Sequence, residues 1–226
     1  MRRLSVPGAS SLLCDMTSCK HYRCLYISDY ISKCVHRVEL NGKVTKWFVN
    51  HELHGLSVTS QFTVIVTCDK DSKLLELTTE GKQLREINLQ SDIVNPWHAI
   101  QLSNGQFVVC HGDETDPVNR VCIVDTNGHV TQSYGGPRGS ATVGQLNVPC
   151  HLAVDKDEFI FVADYNNRRV LLLSPTLSFV REIVSRDQLK WDPVRLFLDV
   201  DRRRLYVADN ELKDGKNTRG RVVVVP

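Results

Sequence analysis

Apolar and polar positions alternate with a period of two along most of this chain. Leu152 and Val154, then Ile160 and Val162, then Val170 and Leu172 form short runs separated by Asp, Asn, Gly and Ser. A period of two puts successive side chains on opposite faces of a strand, so these runs predict short β-strands joined by tight turns. No stretch longer than about ten residues holds the 3.6-residue apolar period with caps that a helix shows.

The strands repeat. "CLYISD" ending at Asp29, "TVIVTC" at Cys68, "QFVVCH" at His111, "FIFVAD" at Asp164 and "RLYVAD" at Asp209 fall in register at intervals of 39, 43, 53 and 45 residues. Such a period means stacked supersecondary units. Each unit reads as four strands, a to d, with third strands closed by Asn41-Gly42, Glu80-Gly81 and Asn127-Gly128, where glycine supplies a positive φ. Four-stranded units repeated radially make a β-propeller, all-β, expected as a single domain over residues 1–226. Five blade cores are visible, and the last unit ends in "RVVVVP", inside its third strand.

The fourth copy, "PCHLAVDKDEFIFVADYNNRRVLLL", resembles an NHL repeat through Pro149, Ala153, Val154, Asp155, Val162, Ala163, Asp164, Asn167, Arg169 and Val170. Arg120-Val121 and Arg221-Val222 keep the Arg-Val step, whereas the second copy has Cys68 and Lys73-Leu74. The resemblance covers nearly the whole chain and is similar to the propeller domain of tripartite-motif (TRIM-NHL) proteins. It implies a six-bladed family, hence a truncated ring, or an outer strand supplied by Met1 to Val6 that closes five blades. It also implies a substrate-recruiting part of a ubiquitin-ligase-type protein, with RNA binding as the alternative. Metal-dependent lactonases and an amidating lyase share the architecture, but they need more channel-facing ligands than this chain offers.

Composition narrows the field. The formal charge is +2, from 28 Lys+Arg and 26 Asp+Glu, so no global charge announces nucleic acid. No apolar run reaches the roughly 18 residues of a membrane helix, and "LSVPGASSLL" is a poor signal peptide because Pro7 and the serines interrupt it. Eight cysteines without framework or C-x-x-C spacing, and no Asn-x-Ser/Thr sequon, predict a cytoplasmic protein with reduced, buried thiols. No nucleophile elbow, P-loop or H-E-x-x-H motif occurs, so a non-enzymatic binding module without cofactor or resident metal is expected.

In a propeller the start of strand a and the b–c elbow share one face. Residues recurring in register, Asp164 with Arg169 above all, read as scaffold, an ion pair that shapes each elbow. Contacts to a protein or peptide partner are expected where the copies differ. At the entrance to strand a these positions are Asp15, Gly55, His98, His151 and Arg195. At the elbows they are Tyr165 and Arg168, the acidic third elbow with Asp113, Glu114 and Asp116, and the basic fifth elbow with Lys213, Lys216 and Arg219. Those acids repel phosphate, which ranks RNA second on this face. Arg202, Arg203 and Arg204 fall on the opposite face.

Overall fold

The computed structural model describes residues 6–137, 139, 141–213 and 216–225, and at 212, 213 and 216–218 the backbone alone. Among them there are strands and turns and no helix. The first blade comprises β1 (Leu13–Cys19), β2 (Cys24–Asp29), β3 (Cys34–Glu39) and β4 (Val44–Phe48), and the second β5 (Leu53–Val58), β6 (Val64–Cys68), β7 (Lys73–Leu77) and β8 (Gln83–Asn88). The third holds β9 (Pro96–Gln101), β10 (Phe107–His111), β11 (Val118–Val124) and β12 (Val130–Pro137). The fourth holds β13 (Pro149–Val154), β14 (Ile160–Asp164), β15 (Arg169–Leu173) and β16 (Phe179–Val184). The fifth has three strands, β17 (Asp192–Asp199), β18 (Arg204–Lys213) and β19 (Lys216–Val225). All are antiparallel meanders in chain order, so the all-β propeller arrangement and the five blade cores expected from the repeats are observed.

The period of two serves two cores at once. In β10, Phe107 and Val109 pack against blade 2, while Val108 and Cys110 pack against blade 4. In β14, Ile160 and Val162 face blade 3 and Ala163 faces blade 5. A sheet covered on both faces needs apolar side chains on both, which is why the central strands β6 and β10 are buried throughout and largely apolar, while the outermost strands β8 and β16 are mostly exposed. Four apolar cores fill the joints 1–2, 2–3, 3–4 and 4–5.

The joint between blades 5 and 1 differs. Leu13 and Met16 on one side and Phe197, Val222 and Val224 on the other stay exposed. The joint is bridged by Arg195 to Asp15 at 2.8 Å and by Lys20 to Asp201 at 2.7 Å. The outer strand expected from Met1 to Val6 lies, apart from Val6, outside the described residues; Val6 lines the cavity that runs into this joint.

The elbows also follow the expected register. Asp164 pairs Arg169, His111 pairs Arg120 and Asp209 pairs Arg221 across their hairpins. The fifth elbow differs from the expected loop: β18 and β19 continue as a two-stranded ribbon, with Asn210 opposite Gly220 and Glu211 opposite Arg219. Backbone pairing extends this polar segment without an apolar face. Among the described residues no helix is long and apolar enough to cross a membrane, and all eight cysteines are free thiols, seven of them buried.

Candidate functional site at the channel mouth

Each innermost strand carries a register shift at its entrance: between Leu13 and Met16, Leu53 and Leu56, Pro96 and His98, Pro149 and His151, and Pro193 and Arg195. One extra residue per strand makes a β-bulge, which re-aims the side chain that follows it. That residue is Asp15, Gly55, His98, His151 or Arg195, the five positions expected from the register. Asp15, His98, His151 and Arg195, with residues further along the same strands and Leu56, Ser57 and Val58 of β5, surround a cavity of about 980 Å³ that continues between the apolar walls of blades 5 and 1.

Asp15 is the hub. Its Oδ1 accepts from Met16 N at 2.9 Å and Arg195 Nε at 2.8 Å, and its Oδ2 accepts from Leu56 N at 2.8 Å. The His151 and His98 rings stack at 4.0 Å between centroids, and their Nε2 atoms stand 3.5 and 3.7 Å from the carboxylate. Arg195 also donates to the carbonyls of Cys14 and Val194. His98 Nε2 donates to Leu56 O at 3.2 Å, whereas His151 Nδ1 accepts from Leu196 N at 3.3 Å. Gly55 makes room: a Cβ there would come within 2.5 Å of Trp97 O and 2.8 Å of the His98 ring.

The charges follow from burial. Asp15 is buried, which pushes its carboxyl up, yet Arg195 and the two imidazoles outweigh this and hold it well below the usual range. Burial and the neighbouring His151 push His98 down to about 3, and burial with Arg195 pushes His54 down to about 4. Burial, followed by Arg120, pushes His111 down to about 4 as well. These imidazoles are neutral when folded, so the unfolded chain binds more protons below about pH 6.5. Their contribution to stability is full above that value and is lost as pH falls towards 3 to 4. Denaturant midpoints measured from pH 7 to pH 4 are expected to fall steadily, and substituting His54 by Phe should flatten that slope; an unchanged slope would contradict this assignment.

Asp15, His98 and His151 present metal-ligand atoms within 4.8 Å of one another, and so do Asp29, Cys34 and His36 in blade 1. Neither donor set is free. The Arg195 cation sits on the Asp15 oxygen that faces His151. Asp29 is consumed by Ser10 N, Ser10 Oγ, Ser32 N and His36 Nε2. The Asp29–His36 contact, 3.0 Å and buried, occupies the place of the Asp–Arg pair in blades 4 and 5.

The remaining expected residues spread around the same face. Arg168 pairs with Asp192 at 3.3 Å across blades 4 and 5, and Tyr165 is half-buried against their shared core. Asp113 closes its own turn through Thr115 and holds Asn95, while exposed Glu114 accepts from Asn166 at 3.3 Å. Arg219 is exposed on the ribbon. The side chains of Lys213 and Lys216 lie outside the described residues. The sequence reading missed an aromatic run beside the mouth, in which Tyr30, His54 and Trp97 contact edge to face across blades 1 to 3; aromatic residues at the entrance and elbow positions were its only signal.

The fold and the bulged ring of entrance residues define a β-propeller with a polar-floored channel mouth. Neither a family model nor a curated protein matches the chain. Among solved structures it is similar to a catalytically inactive virginiamycin B lyase from Staphylococcus aureus with quinupristin (10% identity, 98% of this chain, 72% of that one, TM-score 0.64). It is also similar to a streptogramin B lyase (10% identity, 97% and 70%, TM-score 0.65) and to a functionally unknown protein from Desulfotomaculum acetoxidans (11% identity, 95% and 70%, TM-score 0.62). At these identities the likeness is one of fold.

Proposed function

We propose that the chain is a binding module that receives a protein or peptide partner on the channel-mouth face. The observation that supports this is the cavity of about 980 Å³, to which all five blades contribute entrance-strand residues and which combines apolar walls with a few converging polar groups. Arg195 is the half-exposed polar contact, and Asp15, His98 and His151 form the floor that fixes it. The elbows around the mouth are mixed in sign, and both Arg168 and Arg195 already carry a carboxylate partner, which favours a polypeptide over a polyanion here. Recruitment within a ubiquitin-ligase-type protein rests on the NHL-like pattern of the repeats.

The fold likeness to streptogramin B lyases favours a second reading, chemistry at the same mouth. Against it stands the state of the histidines, since an imidazole held near pKa 3 is a weak general base at neutral pH. Peptides selected from a displayed library on the purified chain test the first reading. Arg195→Ala is expected to weaken their binding by about 1–3 kcal/mol. The double change His98→Ala with His151→Ala is expected to lower both affinity and melting temperature, and Arg202→Ala on the opposite face is expected to change neither. Undiminished affinity in Arg195→Ala together with loss in Arg202→Ala would move the site to the other face.

A further inference from the structure

Of the eight thiols, two face each other. In the β1–β2 hairpin Cys19 is the direct cross-strand partner of Cys24, across a turn of Lys20, His21, Tyr22 and Arg23. Among the described residues no other two cysteines are opposed in a strand ladder. Directly opposed residues of an antiparallel pair point to the same face, with Cα atoms about 4.5 or 5.5 Å apart. A disulfide spans about 4.4–6.8 Å between Cα atoms, so the ladder already sets the Cα separation that one needs. Both side chains enter the apolar joint between blades 1 and 2, where they are 3% and 2% exposed. The four turn residues beside them are all exposed, so the sulfurs lie one hairpin end away from solvent.

Two idle donors accompany Cys24. Tyr26 follows it by two residues on the same strand face, and Arg37 is the cross-strand partner of Tyr26. Tyr26 Oη and Arg37 Nε are buried and have no hydrogen-bond partner among the described residues, although another nitrogen of Arg37 stands 3.8 Å from Glu39. Burial raises the Tyr26 hydroxyl and lowers the Arg37 guanidinium, and on both groups the Cys24 sulfur acts next, upwards. A buried donor without an acceptor costs stability, and two of them beside one sulfur call for a reason. An oxygen added to that sulfur gives both donors an acceptor.

We propose that Cys19 and Cys24 form a peroxide-sensitive dithiol, reduced in the resting chain and closed to a disulfide across the hairpin by hydrogen peroxide. The Cys24 thiolate attacks one peroxide oxygen, the O–O bond breaks, and the other oxygen leaves as hydroxide and is protonated to water. Tyr26 and Arg37 donate to the oxygen of the sulfenic acid so formed. The Cys19 thiol gives up its proton and attacks the Cys24 sulfur, the S–O bond breaks, and the oxygen departs as a second water. Two thiols thus lose two electrons and two protons, and one peroxide becomes two waters. Hydrogen peroxide is close to water in size, which suits it to buried sulfurs that a bulky disulfide reagent does not reach. The pair sits at the end of β1 remote from Asp15 and is independent of the reading given to the channel mouth.

Peptide mass spectrometry of the purified, reduced chain, after one equivalent of hydrogen peroxide and alkylation of the remaining thiols, tests this. Trypsin cuts after Lys20 and Arg23, so the expected product is two peptides linked through Cys19 and Cys24, with two hydrogens lost and both thiols restored by dithiothreitol. Cys19→Ala should leave a Cys24 sulfenic acid that dimedone labels, and Cys24→Ala should abolish both products. Tyr26→Phe removes a donor that bonds nothing in the resting chain, so it should slow oxidation about tenfold with an unchanged melting temperature. Cys14, the one cysteine that is not buried, is the internal competitor, because exposure alone would make it react first. The proposal is overturned if Cys14 is oxidised while Cys19 and Cys24 remain alkylated, or if another pair such as Cys110 and Cys150 links first. A link that forms only in denaturant would also overturn it, as would oxidation of Tyr26→Phe at the parent rate.

Discussion

Asp15→Ala is expected to be among the most destabilising single substitutions in the chain, at about 3 kcal/mol. The carboxylate is buried and accepts from two backbone amides and from Arg195, so its loss leaves Leu56 N without an acceptor and a guanidinium without its counter-ion. Arg195 is partly solvated, with 30% of its side chain exposed, which keeps the cost at the lower end of the range for broken buried pairs. The consequence is concentrated at one place, because Asp15 and Arg195 bridge the joint between blades 5 and 1, which among the described residues lacks the apolar packing of the other four. For a chain of this length a loss of 3 kcal/mol lowers the melting temperature by roughly 6–12 °C. Hydrogen exchange should accelerate first in β1 and β17. A fall of less than about 1 kcal/mol would mean that the two blades are held by something other than this hub.

Much of the architecture was legible because a propeller blade is buried on both faces, and that burial leaves a period-two signature repeated every 40 to 50 residues. Asp29, Cys68, His111, Asp164 and Asp209 mark that register, and counting back from them leads to Asp15, Gly55, His98, His151 and Arg195. Their convergence was legible for the same reason: equal positions in a closed array of blades meet at its axis. The bulges were not legible, since an extra residue in one strand shows only against its partner's register. Burial of His98 was hidden too, because it depends on Gly55 and Leu56 of a neighbouring blade, some 42 residues away. The polarity of the fifth elbow predicts a loop, yet a hairpin ribbon needs only backbone pairing and carries no apolar period. In blade 1, "DYISKCVH" hides an Asp29–His36 contact at a spacing where the other blades place arginine five or twelve residues after the aspartate.

Arg169→Met is expected to cost about 3–5 kcal/mol, the effect of leaving a buried carboxylate without its cation. Asp164 and Arg169 are 0% and 3% exposed and 2.7 Å apart, and the guanidinium also donates to the carbonyls of Ala141 and, at 2.8 Å, Gln145. After the change Asp164 keeps Asn147 N and Asn167 Nδ2, each at 2.8 Å, so the elbow retains two of its ties while burial pushes the carboxyl further up. The register-matched pair in blade 5 is the internal control. There Arg221 lies 2.8 Å from Asp209 but is 39% exposed, so solvent screens the pair and Arg221→Met should cost about 1 kcal/mol or less. Replacing both partners in blade 4, Asp164→Asn with Arg169→Met, should recover part of the loss, because no unpaired charge then remains buried. Chemical denaturation of the three variants reads the order directly. If Arg169→Met proved as mild as Arg221→Met while peptide binding fell, the Asp164–Arg169 elbow would be a contact surface and not the tie that shapes the blade.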